Sequence, residues 1–115
     1  MNTNLIKSIK GISFVYTTPS HQYPLGGILP IQRRLELIKC ATENDYYIIE
    51  DDYDSEFRYE GQPISSLYEL SPNKVIYIGS FSKILSPAIR VGFMLLPDNI
   101  LESYKTLKMY SDVHT

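Results

Sequence analysis

Cysteine is nearly missing: Cys40 is the one thiol in 115 residues. No disulfide can form within the chain, and a reducing cytoplasm is the expected compartment. Tryptophan is absent, whereas tyrosine occurs ten times. Positive charge is not in excess, with 11 Lys and Arg against 13 Asp and Glu and a net charge of −2. A surface that tracks nucleic-acid phosphates needs a basic excess, so this segment is not expected to bind nucleic acid itself. No apolar run approaches the ~20 residues that cross a bilayer, so no membrane partner is expected. The opening residues lack an apolar core before a small-residue cleavage site, so they do not read as a secretory signal. The two histidines, His21 and His114, form no metal-ligand pattern. Repeats and low-complexity tracts are missing too.

What is present is a series of four short apolar runs: residues 12–16, 46–49, 75–78 and 91–96. They are rich in β-branched and aromatic residues and mostly continuous, as strands buried on both faces are. Two stretches have helical period. Ile31, Leu35, Ile38 and Ala41 form one apolar stripe after Pro30, which suits a helix start. Arg33 and Arg34 then read as a solvated face, and Cys40 as a small core residue. Asp98 suits the cap of a second helix carrying Ile100, Tyr104 and Leu107. The order strand, helix, strand, short helix or loop, strand, strand, helix predicts a three-layer α/β fold on a mostly parallel sheet. Only residues 80–90 lie between Gly79, at the end of the third run, and Val91, at the start of the fourth. A parallel crossover needs about a dozen or more residues, so the fourth strand is predicted to run antiparallel to the third.

Ligands of open α/β sheets gather beyond the carboxyl ends of parallel strands. Two unusual segments fall there. One is Glu50-Asp51-Asp52-Tyr53-Asp54, which packs four acids into five positions. Like charges so close repel unless a cation or donor compensates. A solvated acidic turn accounts for it equally well. The other is Ser80-Phe81-Ser82-Lys83, with Arg90 seven residues after the lysine. A lysine amine can condense with a carbonyl when it reaches its neutral state. Hydroxyls and a guanidinium nearby suit a phosphate. Together, a carboxylate for a pyridine nitrogen, a tyrosine hydroxyl for a ring oxygen and a lysine for an aldehyde are what pyridoxal phosphate asks of a protein. A looser pattern imitates a magnesium-dependent haloacid-dehalogenase-type phosphatase, with Asp52 as nucleophile. Glu56 stands where that pattern has Thr, and no convincing acidic pair follows Lys83. The alternation Asp52, Asp54, Glu56 resembles a calcium loop without its glycine.

The motifs Tyr16-Thr17-Thr18-Pro19-Ser20-His21-Gln22-Tyr23-Pro24-Leu25-Gly26, Glu50-Asp51-Asp52-Tyr53-Asp54-Ser55-Glu56-Phe57-Arg58-Tyr59, Gly79-Ser80-Phe81-Ser82-Lys83 and Pro87-Ala88-Ile89-Arg90-Val91-Gly92 follow in this order. Between about Phe14 and Leu96 the chain resembles the aminotransferase-like domain of MocR-type transcriptional regulators. That domain is similar to class I/II aminotransferases of the fold type I superfamily. The resemblance implies pyridoxal 5′-phosphate as cofactor, with Lys83 as its imine-forming lysine and Asp51 at the pyridine nitrogen. It implies Tyr53 at the phenolic oxygen, Ser80 and Arg90 at the phosphate, and Ser82 as a further contact. Tyr23 stands where ordinary aminotransferases carry the Asn of an Asn-Pro-x-Gly turn, which points to the regulator branch.

The implied function is the sensing of a small amino compound through an imine with the cofactor. The alternative within the family is a working aminotransferase. The family's domain is several hundred residues long and dimeric. Residues 1–115 are accordingly expected to be part of a large domain, incomplete at both ends and inactive alone. The upstream glycine-rich phosphate loop, the winged-helix module and the downstream small domain fall outside it.

Overall fold

The computed structural model describes residues 3–21, 26–53, 64–81, 88 and 90–111. They form helix α1 (Thr3–Ser8), strand β1 (Phe14–Thr17), helix α2 (Ile31–Asn44) and strand β2 (Tyr47–Asp51). Helix α3 (Leu67–Leu70), strands β3 (Val75–Ser80) and β4 (Gly92–Leu95) and helix α4 (Asp98–Ser111) follow. The sheet has the order β1-β2-β3-β4. The first three strands are parallel, and β4 is antiparallel to β3. The α/β architecture and the direction of β4 are as the sequence predicts. Helix α1 lies in a stretch for which the sequence suggested no element.

One sheet face is sealed by α2 and α3. Leu37, Cys40, Ala41, Tyr46, Ile48, Leu67 and Val75 form its core, with Ile6, Ile12, Val15, Ile38 and Tyr68 against them. Cys40 is thus the core residue expected. Among the described residues the opposite face is covered by α4. There Asn99 of α4 donates to the Tyr47 hydroxyl at 2.6 Å. Ile78, Met94, Leu101 and Tyr104 line a cleft of about 430 Å³ between α4 and the sheet. Farther along this face Phe14 and Tyr16 are more than half exposed.

The helix stripes are corrected by the structure. The buried side of α2 carries Arg34, Leu37, Cys40 and Ala41, whereas Ile31 and Leu35 are exposed. Apolar residues occupy two sides of this helix, so period alone could not choose between them. Arg33 is the solvated arginine expected, paired with Glu36 at 2.9 Å. Arg34 is not: it is fully buried. In α4, Ile100 and Tyr104 are half-buried but Leu107 is 66% exposed, and no α4 residue is fully buried. Asp98 opens the first turn of α4, and the Pro97 carbonyl accepts from Ile100 and Leu101.

Glycine is required at one place in the sheet. A Cβ on Gly79 would lie 2.4 Å from Cζ of Phe93. Phe93 packs against β3, with ring centroids 6.0 Å from Tyr77 and 5.0 Å from Phe81.

Candidate functional site

The acidic run is separated by strand alternation, in which successive side chains leave a sheet on opposite faces. Ile48 and Glu50 are buried on the helix-covered face, while Asp51 is half-buried on the other. Asp52 continues the β2–β3 ladder, its N–H donating to the Ile78 carbonyl at 3.0 Å. Its side chain returns to the covered face and accepts from the Tyr77 hydroxyl at 2.5 Å. The solvated acidic turn is therefore excluded for Glu50 and Asp52, which are 0% and 6% exposed.

Glu50 is a structural acid. Its carboxylate accepts from the backbone N–H of Leu67 at 3.1 Å and of Tyr68 at 2.9 Å, capping the first turn of α3. Burial pushes its pKa up, opposed by those two N–H groups and by the Arg34 charge. The Arg34 guanidinium binds three backbone carbonyls: Leu29 at 2.7 Å, and Ser65 and Pro19 at 3.1 Å each. It thereby ties the segment before α2 and the start of α3 to one point. The sequence carries no local sign of this, because the three acceptors come from separate parts of the chain.

Asp51 is the acid that the open face offers. Tyr16 pairs with Ile49 in register and so shares the face of Asp51, two residues farther along β2. The Tyr16 hydroxyl donates to Oδ2 of Asp51. That bond, then burial and the Asp51 charge, push the Tyr16 hydroxyl up to about 12. Tyr16 was missed as a site residue; strand alternation in two neighbouring parallel strands is the signal that could have found it.

Ser80 lies on the same face. Asp51 pairs with Ile78, and Ser80 is two residues beyond Ile78 at the carboxyl end of β3. Ser80 pairs in turn with Gly92, and the ladder continues as Phe81 N–H donates to the Val91 carbonyl at 3.0 Å. This brings the exposed Arg90 to the same sheet end as Ser80. Tyr53, just past β2, is half-buried and donates its hydroxyl to the His21 carbonyl at 2.9 Å. Asp51, Tyr53, Ser80 and Arg90 thus gather at the carboxyl end of the parallel strands. Tyr23, Ser82 and Lys83 lie outside the described residues. So do Asp54 and Glu56 of the calcium-like pattern. Among the described residues no three His, Cys, Asp or Glu side chains are grouped to hold a metal ion.

The donor set fits pyridoxal phosphate. It offers an acid on an open sheet face, a phenol nearby, and a hydroxyl and a guanidinium at the adjoining strand end. No protein-family model matches the chain. The chain is 56% identical over 89 residues to the HTH-type transcriptional regulator YhdI of Bacillus subtilis, covering 76% of this chain and 19% of that protein. It is 39% identical over 92 residues to the probable rhizopine catabolism regulatory protein MocR of Rhizobium meliloti, covering 79% and 19%. The fold matches the crystal structure of Pyrococcus horikoshii kynurenine aminotransferase, complexed with PMP, with a TM-score of 0.82. That match has 37% identity and covers 92% of this chain and 26% of that one. The chain therefore spans about a fifth of the curated regulators it matches and about a quarter of the aminotransferase. It is an aminotransferase-like segment with the class I/II, fold type I architecture, of the kind carried by MocR-type regulators.

Proposed function

We propose that this chain supplies one side of a pyridoxal-phosphate site in an aminotransferase-like domain of a MocR-type regulator that senses a small amino compound. The observation that carries the reading is the placement of Asp51 and Ser80 on one open face, at the carboxyl ends of adjacent strands. When bound, the cofactor supplies a cationic ring that draws electrons from the α-carbon of an amino compound. Asp51 holds the proton on the ring nitrogen. Ser80 and Arg90 present a hydroxyl and a guanidinium to the phosphate, a pairing strengthened by charge. Tyr53 would donate its hydroxyl to the ring oxygen in place of the His21 carbonyl it now meets.

The resemblance gives Lys83 the anchoring amine, and in an enzyme the general base for the α-proton. It gives Ser82 and Tyr23 supporting contacts. A homodimer is proposed for the parent domain and the cytoplasm for its location. Among the described residues no helix is long and apolar enough to cross a membrane.

The second reading is a transaminase, favoured by the likeness to kynurenine aminotransferase over 92% of this chain. A winged-helix module encoded in frame with this segment decides for the regulator.

The test is spectral. The purified chain is mixed with pyridoxal phosphate, and its absorbance is recorded before and after borohydride. A yellow band that borohydride bleaches, with the label recovered on Lys83, supports the reading. An unchanged cofactor spectrum, or a label that survives Lys83→Ala, refutes it.

A further inference from the structure

We propose that Tyr16 is the positioning residue of this site: its hydroxyl fixes the Asp51 carboxylate and thereby sets how tightly that acid grips a protonated ring nitrogen. The inference rests on the pyridoxal-phosphate reading. Tyr16 stands on the strand beside Asp51, on the same sheet face, and donates to its Oδ2. Oδ1 then remains as the acceptor for a ring N–H. The Tyr16 residue is 55% exposed, and its hydroxyl nevertheless turns to the carboxylate rather than to water alone. A donor on one carboxylate oxygen fixes the plane in which the other can accept, because hydrogen bonds to sp² oxygens favour the carboxylate plane. Tyr16 lies at the end of β1, and the chain continues at once into the segment bearing His21, the partner of Tyr53. The two tyrosines thus have separate parts: one orients the acid, and the other serves the ring.

The acid–phenol pair also has a fixed proton assignment. The hydroxyl pushed up to about 12 keeps its proton on Tyr16 throughout the neutral range. Tyr16 therefore enters the pair as the donor and Asp51 as the acceptor. A histidine or lysine in the position of Tyr16 would add a cation beside that ring and compete with it.

The experiment uses the full chain and four proteins: the unaltered chain, Tyr16→Phe, Asp51→Asn and the double variant. Pyridoxal-phosphate affinity is read by absorbance titration, and the spectrum of the bound cofactor is followed against pH. Tyr16→Phe is expected to weaken binding roughly tenfold, the scale of one hydrogen bond to a charged group. It is also expected to move the pH midpoint of the bound spectrum. In the Asp51→Asn background the same change is expected to cost less than about twofold, because coupled residues are not additive.

Uptake by the unaltered chain with unchanged affinity and pH profile in Tyr16→Phe overturns this inference and leaves the cofactor reading standing. No uptake by the unaltered chain overturns both. Should Tyr16→Phe fail to fold, tyrosinate absorbance in Asp51→Asn reports on the pair without any cofactor. Titration of Tyr16 falling from about 12 toward 10.0 supports it, and no movement overturns it.

Discussion

The Tyr77 hydroxyl donates to Oδ2 of Asp52 over 2.5 Å on the covered face, while the adjacent Asp51 accepts from Tyr16 on the open one. Two consecutive aspartates thus have two different tyrosine partners and two different roles. Asp52 is nearly fully buried, and its Oδ1 has no hydrogen-bond partner among the described residues.

These roles separate on mutation. Asp52→Ala is expected to lower stability by about 1–3 kcal/mol, because it removes an acceptor of the half-buried Tyr77 hydroxyl. Asp51→Asn is expected to leave stability within about 0.5 kcal/mol, as for a half-exposed site. Affinity for pyridoxal phosphate is expected to fall in Asp51→Asn and to stay within about twofold in Asp52→Asn, where the carboxamide oxygen still accepts from Tyr77. Urea unfolding and cofactor titration check the two halves. An equal loss of affinity in both variants contradicts the division.

Arg34 is expected to be the most sensitive position of α2. Arg34→Met keeps the bulk but removes the donors to the Leu29, Ser65 and Pro19 carbonyls. A destabilisation of about 2–4 kcal/mol is expected, since a buried network loses one partner. Arg34→Lys should recover little of it, because an ammonium cannot spread its donors as the planar guanidinium fork does. Ile31→Ser on the exposed side of the same helix should cost less than about 1 kcal/mol. Denaturant midpoints for the three variants decide the matter, and a costlier Ile31 variant refutes it.

Gly79→Ala is expected to destabilise by about 1–3 kcal/mol through overpacking against Phe93. Phe93→Leu should relieve part of that loss when combined with it, while costing stability on its own. A thermal-unfolding double-mutant cycle measures the coupling. Additive effects contradict the contact.

Alkali is expected to destabilise the chain as its raised tyrosine hydroxyls ionise. The Tyr16 hydroxyl is pushed up from 10.0 to about 12, first by its bond to Asp51. Burial drives the Tyr46 hydroxyl upward as well. The folded chain holds these protons more tightly than the unfolded chain. The stabilising contribution of Tyr16 is therefore complete below pH 10 and is lost as pH rises through about 12, and that of Tyr46 is lost at higher pH still. Urea midpoints should fall across that window, and less steeply in Tyr16→Phe. A flat profile refutes the coupling.

The strands were legible because buried strands read as continuous β-branched and aromatic runs. The antiparallel turn of β4 was legible from the shortness of residues 80–90. Asp51, Tyr53, Ser80 and Arg90 were singled out by motifs that follow in order, and the fold brings these four to one end of the sheet, which says where they stand and leaves their part in a cofactor site as the proposal. The buried face of α2 was not, because Ile31 and Leu35 satisfy the helical period as well as Leu37 and Ala41 do. The burial of Arg34 was hidden for a related reason: its three acceptors lie five, fifteen and thirty-one residues away.

By itself the sequence determined the alternation of strands and helices and the chemistry available at the strand ends, since period and residue type are local properties. Only the tertiary structure decided which acid serves which face. Strand register, set by packing between segments far apart in the chain, turns Asp51 toward Tyr16 and hands Glu50 and Asp52 to the core.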